Sequence, residues 1–110
     1  MCYNYVLHID KRFKERFALT QNLDGLEDKY NTYPGNNYPV IVKTHQLPLM
    51  RWGFTPSWAR TKQDIIANVR AETITSKDMF KDSFINRRCL VPATAFFEWD
   101  KNVKPREQYI

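Results

Sequence analysis

Residues 38–54 read YPVIVKTHQLPLMRWGF, and this stretch decides the fold class. Residues 38–43 are rich in β-branched side chains and predict one strand, and residues 47–54 predict another. Outward from this stretch, residues 1–7 alternate in a way that predicts a short N-terminal strand. Toward the C-terminus, residues 89–93 and 94–99 predict two more strands. A turn at 101–105 then precedes residues 107–110, which begin a partner strand.

Two short helices are predicted between these strands. Asp10 is suited to the N-cap of a helix that runs to about Ala18, with phenylalanines recurring at helical spacing. Residues 75–78 resemble a capping box that opens a second helix, with Phe80 and Phe84 on its apolar side. Residues 65–73 are expected to be extended or irregular.

The predicted architecture is a single α+β domain over residues 1–110. We expect a curved or barrel-like, mainly antiparallel sheet with the two short helices. Because the pattern stops inside a hairpin, we also expect the domain to be truncated at its C-terminus and to be the N-terminal part of a longer domain.

Composition excludes several classes of protein. The 110 residues are 43% hydrophobic and 15% aromatic, which excludes extensive disorder. No apolar run approaches the roughly 20 residues that cross a bilayer, and the N-terminus does not have the pattern of a signal peptide. Two cysteines without an export signal predict free thiols and a cytoplasmic location. The net charge of +5 is a weak indication of a polyanionic partner.

Cys2 is the first candidate for chemistry. Removal of Met1 would place an α-amine and a thiol on adjacent carbons, with ordinary pKa values of roughly 7.7–8.0 and 8.5. A 1,2-aminothiol condenses with an aldehyde to give a thiazolidine, and it could instead act as a nucleophile toward an amide. The alternative is that Cys2 is an ordinary residue of an edge strand.

Glu98 lies among aromatic residues in Phe96-Phe97-Glu98-Trp99. Desolvation by such neighbours is expected to raise a carboxyl pKa, which suits proton transfer. The alternative is a solvated face shared with Phe96 and opposite Phe97 and Trp99, since side chains alternate along a strand.

Asn68, Arg70 and Glu72 stand at alternate positions and would share one side of an extended segment. Asparagine can orient a substrate, and arginine can bind a phosphate. An ordinary ion pair between Arg70 and Glu72 is the alternative that the residues alone favour.

Aromatic and proline side chains could stack on bases, although most tryptophans at such spacing belong to a core; they are Pro34, Trp52, Pro56 and Trp58. Cys89 is predicted to be a buried structural thiol, and no metal site is predicted.

Five separated blocks of the sequence resemble the SRAP (SOS response-associated peptidase) family. The blocks follow the family order from residue 1 to residue 99. They are Met1-Cys2; Tyr30-Asn31 with Pro34-Gly35; MRWGF at 50–54 with PSWA at 56–59; Asn68 with RAET at 70–73; and RRCLVPA at 87–93 with FFEW at 96–99.

The resemblance implies that the protein senses abasic sites in single-stranded DNA and crosslinks to them. Cys2 would form a thiazolidine with the ring-opened deoxyribose aldehyde. Asn68 would hold the sugar and the linked cysteine, and Glu98 would handle protons.

The resemblance also implies a DNA-binding surface. Arg70 would contact a backbone phosphate, while Pro34 and Trp58 would shape the kinked strand. The implied partner is single-stranded DNA with abasic sites. No cofactor or membrane is implied, a monomer is favoured, and the protein would associate with the nucleoid when bound to DNA.

Among the departures of the sequence from the family pattern, two bear on function. The family usually begins Met-Cys-Gly-Arg, so a phosphate-contacting arginine is missing at Asn4. The family's catalytic histidine lies in a motif beyond Ile110, and neither His8 nor His45 is assigned its role.

Two alternative functions stay open. One is a cysteine-dependent autoproteolytic peptidase that acts on its own N-terminus, although no oxyanion hole is recognisable in the sequence. The other is a catalytically incomplete DNA-binding module.

Overall fold

The N-terminal strand pairs with a strand close to the end of the chain. The computed structural model describes residues 2–61, 63–100, 102, 104, 108 and 109. Strand β1 (Tyr5–Val6) is antiparallel to β4 (Ala95–Phe96), with Tyr5 opposite Phe96. The Phe97 N–H donates to the Asn4 carbonyl at 3.0 Å and continues the ladder toward the N-terminus. Residues 94–97 are therefore the immediate neighbours of the segment that follows Cys2.

The stretch at 38–54 forms an antiparallel pair, as its composition predicted. Strand β2 (Asn37–Pro39) pairs with β3 (Leu49–Arg51). Both strands are shorter than predicted because prolines at 39 and 48 cannot donate to a ladder. Beyond β2, an isolated bridge joins Ile41 to Leu90 and so connects this pair to the chain that leads into β4.

The second helix is close to its predicted position, but its predicted cap is wrong. Helix α2 (Asp78–Asn86) has Lys77 at its N-cap and no side-chain cap hydrogen bond. Helix α1 (Phe13–Arg16) starts later than predicted, with Arg12 rather than Asp10 at the N-cap. The Asp10 carboxylate instead accepts the Arg12 N–H at 3.0 Å in the turn before the helix.

A third antiparallel pair joins β5 (Glu98–Trp99) to β6 (Gln108–Tyr109), which agrees with the predicted partner strand. Residues 101, 103 and 105 of the predicted turn, and residues 107 and 110 of the predicted partner strand, lie outside the described residues. The described part of the chain is thus an α+β arrangement of three two-stranded antiparallel ladders and two helices, and it contains no closed barrel. No helix in it is long and apolar enough to cross a membrane.

The core lies directly beneath β1. Tyr5, Leu7, Phe13 and Tyr38 are buried together, and the half-buried Trp52 packs against this cluster. The Trp52 ring centroid lies 5.5 Å from that of Tyr5 and 6.4 Å from that of Tyr38. Burial of several aromatic rings around Tyr5 holds the strand that immediately follows Cys2.

Candidate functional site

Cys2 is half-buried and lines a cavity of about 600 Å³. The cavity walls are mainly apolar and include Tyr38, Met50, Trp52 and Phe96. The Cys2 thiol donates to the Asn4 carbonyl oxygen at 3.3 Å. An accessible sulfur at the edge of a concave apolar site is a geometry in which a nucleophile can meet a small electrophile.

Asn68 contacts Cys2 directly. Its Nδ2 donates to the Cys2 carbonyl oxygen at 3.1 Å, across a sequence separation of 66 residues. Two neighbouring contacts hold the asparagine segment: the bridge between Phe54 and Ile66, and the hydrogen bond from Trp52 Nε1 to the Ala67 carbonyl at 3.2 Å. The amide therefore fixes the backbone of Cys2 while leaving its sulfur free of that contact.

The backbone after Cys2 is anchored by two buried polar residues that the sequence did not point to, Asn4 and Thr32. Thr32 is fully buried, and its Oγ1 accepts the Tyr5 N–H and donates to the Tyr5 carbonyl, both at 2.9 Å. The Asn4 Oδ1 accepts the Thr32 N–H at 3.1 Å, and its Nδ2 donates to Asn31 at 3.3 Å. Asn4 is only 8% exposed, so its amide serves the fold and does not replace a surface arginine.

Glu98 stands next to the Cys2 segment. It follows Phe97, which bonds to the Asn4 backbone, and it is half-buried in β5. The expected alternation, with Glu98 and Phe96 on a solvated face opposite Phe97 and Trp99, is not what the strand shows. Trp99 is 52% exposed and Phe96 is 60% exposed, whereas Phe97 and Glu98 are both half-buried.

Arg70 is exposed at the start of a 3₁₀ turn (Ala71–Thr73), two residues beyond Asn68. Because Glu72 lies within that turn, the alternation of side chains ends at Arg70. No ion pair joins Arg70 to Glu72, so the guanidinium is not held by the partner that the residues alone favoured.

Pro34 and Trp58 occupy two different loops. Pro34 is half-buried, and the next residue, Gly35, donates its N–H to the Trp52 carbonyl at 2.7 Å, which ties this turn to the cavity wall. Gly35 has a φ of 93°, where a residue with a Cβ would be strained. Trp58 is 65% exposed and therefore not a core residue, unlike Trp52. Neither Pro34 nor Trp58 is among the described residues that line the Cys2 cavity.

Cys89 differs from its prediction, and His8, which was assigned no catalytic role, lies beside a carboxylate. Cys89 was expected to be buried, but it is exposed, and the predicted strand at 89–93 is reduced to the isolated bridge between Leu90 and Ile41. Partial burial of the sulfur nevertheless raises the pKa of the Cys89 thiol. His8 is not isolated: its Nδ1 lies 2.7 Å from Asp28 Oδ2.

The Asp28 carboxylate is strongly stabilised in its charged form. Hydrogen bonds from the Ile9 N–H, His8 and Tyr30 lower the pKa of Asp28 from 3.8 to about 2. This cluster crosslinks the chain after β1 to the loop that precedes Tyr30. In the described residues, no group of three or more His, Cys, Asp or Glu side chains could hold a metal ion.

The fold and the site together define a class of α+β domain. In this chain a cysteine at position 2 lies beside an open cavity, and a distant asparagine amide holds the cysteine backbone. The family model for SOS response associated peptidase (SRAP) matches residues 1–110, so the chain belongs to the SRAP family. The family resemblance inferred from the five sequence blocks is confirmed.

Several relatives of the chain carry a common name. The chain is 35% identical to the abasic site processing protein YoaM of Bacillus subtilis, over 68% of this chain and 35% of YoaM. It is 33% identical to the abasic site processing protein YoqW of Bacillus subtilis, over 84% of this chain and 44% of YoqW. It is also 33% identical to the abasic site processing protein HMCES of Xenopus tropicalis, over 78% of this chain and 32% of HMCES. The chain thus spans less than half the length of these relatives.

A crystal structure of a protein from Bacteroides thetaiotaomicron has the same fold. It superimposes with a TM-score of 0.80 at 23% identity, covering 97% of this chain and 52% of that protein.

Proposed function

We propose that this protein processes abasic sites in DNA by attaching itself covalently to them through Cys2. The relatives are named abasic site processing proteins, and the chain shares their family model over its whole length. The observation that carries the proposal is the hydrogen bond from Asn68 Nδ2 to the Cys2 carbonyl oxygen. This bond holds Cys2 by its backbone carbonyl, which does not take part in the reaction, at the edge of a cavity that can admit a sugar.

The proposed reaction forms two new bonds, one to nitrogen and one to sulfur, at the aldehyde carbon of the sugar. After Met1 is removed, the Cys2 α-amine adds to the aldehyde carbon of the ring-opened deoxyribose, and loss of one water leaves an imine. The thiolate then adds to the same carbon, and the nitrogen takes up a proton, which closes a five-membered thiazolidine. One water leaves overall, and no oxidant or reductant is required.

Two side chains, Asn68 and Glu98, have proposed roles beside Cys2. Asn68 positions the cysteine backbone and contacts the sugar. Glu98, which follows the Phe97 that bonds to the Asn4 carbonyl, delivers a proton to the departing hydroxyl and removes one during ring closure. The half-buried position of Glu98 suits a group that exchanges protons with a substrate and remains connected to water.

The proposed DNA-binding residues are Arg70, Pro34 and Trp58. Arg70 is exposed and, among the described residues, has no ion-pair partner, so it can contact a phosphate. Trp58 exposes most of its ring, which suits stacking on a base of a single strand. Pro34 shapes the turn that is hydrogen-bonded to Trp52.

The test is a crosslinking assay with the purified chain and single-stranded DNA that carries one abasic site. A slowly migrating band that survives denaturation is expected with the natural chain and with Cys89→Ser, and it should be absent with Cys2→Ala. Cys89→Ser is the matched control because Cys89 lines the same cavity and is more exposed. A Cys2→Ser chain keeps the amine and should give at most a labile adduct that borohydride can trap.

Two outcomes would contradict the proposal. One is a denaturation-resistant band of undiminished intensity with Cys2→Ala. The other is an intact mass showing that Met1 is fully retained, since the aminothiol then cannot form. An abasic site placed in duplex DNA tests the preference for single strands in the same experiment.

A further inference from the structure

A second cavity, of about 630 Å³, lies between the end of α1 and the turn that follows Ile41. Its polar lining is entirely basic: Arg16, Lys43, His45 and Arg88 face it, and no Asp or Glu is among the described residues that line it. We call this cavity the basic cleft. Cys89 lines both the basic cleft and the Cys2 cavity, so the two sites adjoin there.

The charges of the basic cleft are not neutralised within the described chain. The ion pairs there join His8 to Asp28, Lys29 to Glu27 and Arg87 to Asp82, and none includes a cleft residue. Arg88 lies over the Phe84 ring, with its guanidinium carbon 5.5 Å from the ring centroid, which leaves its positive charge in place. Several unpaired cations around one concavity attract an anion.

The backbone of the basic cleft is held in an unfavourable conformation. Ala18 has a φ of 49° and His45 a φ of 57°, and in the described chain these are the non-glycine residues in the left-handed region. Both line the cleft. Backbone conformations that cost free energy are concentrated at functional sites, because surrounding structure must maintain them.

Two contacts lock the strained turns together. The Thr20 N–H donates to the His45 carbonyl at 3.2 Å, and His45 Nδ1 lies 3.2 Å from the Phe17 carbonyl oxygen. Because a carbonyl oxygen only accepts, Nδ1 carries the hydrogen and donates. The other ring nitrogen, Nε2, is therefore not used in this contact and can serve a ligand.

We propose that the basic cleft binds the phosphate group of a nucleotide, either free or within a nucleic-acid strand. The cationic side chains suit a phosphate, and the apolar part of the lining, which includes Phe17 and the 63% exposed Leu90, suits the sugar and base. The cleft has the volume of a small-molecule site. This proposal does not rest on the chemistry of Cys2.

The experiment measures reversible binding of an intact single-stranded oligonucleotide, without an abasic site, to the Cys2→Ala chain. Arg16→Gln and Lys43→Gln remove cleft charges, and Lys14→Gln on α1 and Lys11→Gln are matched controls whose side chains are exposed outside the cleft. Each cleft variant is expected to weaken binding about five- to tenfold. Each should also reduce the slope of log K against log salt by about 0.7, the value for one phosphate contact on a single strand. The controls should change affinity less than about twofold.

Competition separates the two sources of phosphate. If thymidine monophosphate or inorganic phosphate displaces the oligonucleotide at equal phosphate concentration, the cleft binds a free nucleotide. If only longer strands compete, it binds a strand. Either result supports the proposal, provided that melting temperatures of the variants match the natural chain.

Two results would overturn the proposal. The first is equal loss of affinity in the cleft and control variants, which would mean a diffuse charge effect. The second is binding of an acidic peptide that responds to the cleft variants more strongly than DNA does. Because the oligonucleotide has no abasic site, neither result bears on crosslinking by Cys2, so the two proposals fail independently.

Discussion

Replacing Thr32 by valine tests whether a single buried hydroxyl holds the N-terminal strand in place. The hydroxyl satisfies both the N–H and the carbonyl of Tyr5 at 2.9 Å, on the side of β1 that faces away from β4. Valine has nearly the same shape, so it leaves both backbone groups buried without a partner. Each such group costs about 1–3 kcal/mol, while the added methyl returns about 1 kcal/mol. We expect a net loss of about 3 kcal/mol.

The loss is measured by urea unfolding, followed by tryptophan fluorescence, since Trp52 lies against Tyr5. A domain of this size has a total stability of about 5–15 kcal/mol, so the urea concentration at the unfolding midpoint should fall clearly. The dependence of the unfolding free energy on urea concentration should not change. Thr32→Ser keeps the hydroxyl and should lose only about 1 kcal/mol for the missing methyl. Thr44→Val, at an exposed position, should change little. The reasoning is refuted if Thr32→Val stays within about 0.5 kcal/mol of the natural chain, or if serine costs as much as valine.

Three further predictions follow from the same region. Asn68→Ala removes a hydrogen bond worth about 1 kcal/mol to the Cys2 backbone and should slow crosslinking about fivefold in a gel time course, whereas Asn86→Ala should not. Burial raises the pKa of Tyr5 from 10.0 to about 12, so its stabilising contribution is complete below pH 10 and is lost as the pH rises toward 12. Tyr5→Phe should flatten that alkaline decline in thermal unfolding. The pKa of Asp28 is lowered from 3.8 to about 2, so this carboxylate stabilises the fold above pH 3.8 and the stabilisation is lost as the pH falls toward 2. The difference in melting temperature between the natural chain and Asp28→Asn should therefore disappear near pH 2. A difference that persists at pH 2 would contradict this reasoning.

Local sequence patterns predicted the presence of the strands and helices better than the residues at which they begin and end. The strands at 38–43 and 47–54 and the second helix were confirmed because β-branched runs and helical spacing act over a few residues. The predicted caps at Asp10 and 75–78 were wrong, because capping depends on how the neighbouring chain turns toward the helix. Helix α1 is short because Ala18, just after it, adopts a left-handed conformation. Glycine is the usual residue at such a position, so the alanine gave no sign in the sequence that the helix ends there.

The candidate site was predictable only in part, and for a related reason. Cys2 and Asn68 were identified from the family blocks, and the structure brings them into contact. The pairing of Asn4 with Thr32 spans 28 residues and involves two common polar residues, so no local pattern marks it. The exposure of Cys89 goes with the absence of the strand predicted at 89–93, where only the bridge between Leu90 and Ile41 forms, and long-range pairing of that kind is a property of the whole fold.

The burial of Asn4 decides where the positive charge for a DNA strand can come from. An arginine at this position would place a guanidinium where the side chain is 8% exposed and already bonded to Asn31 and Thr32, and a buried charge without a partner is costly. Position 4 therefore carries a buried, uncharged amide in place of a cation. Among the described residues, exposed cations do stand elsewhere, at Arg70 two residues past Asn68 and around the basic cleft that meets the Cys2 cavity at Cys89. Since phosphate contacts supply most of the affinity for nucleic acid, these groups must compensate for the missing arginine if the chain captures abasic DNA.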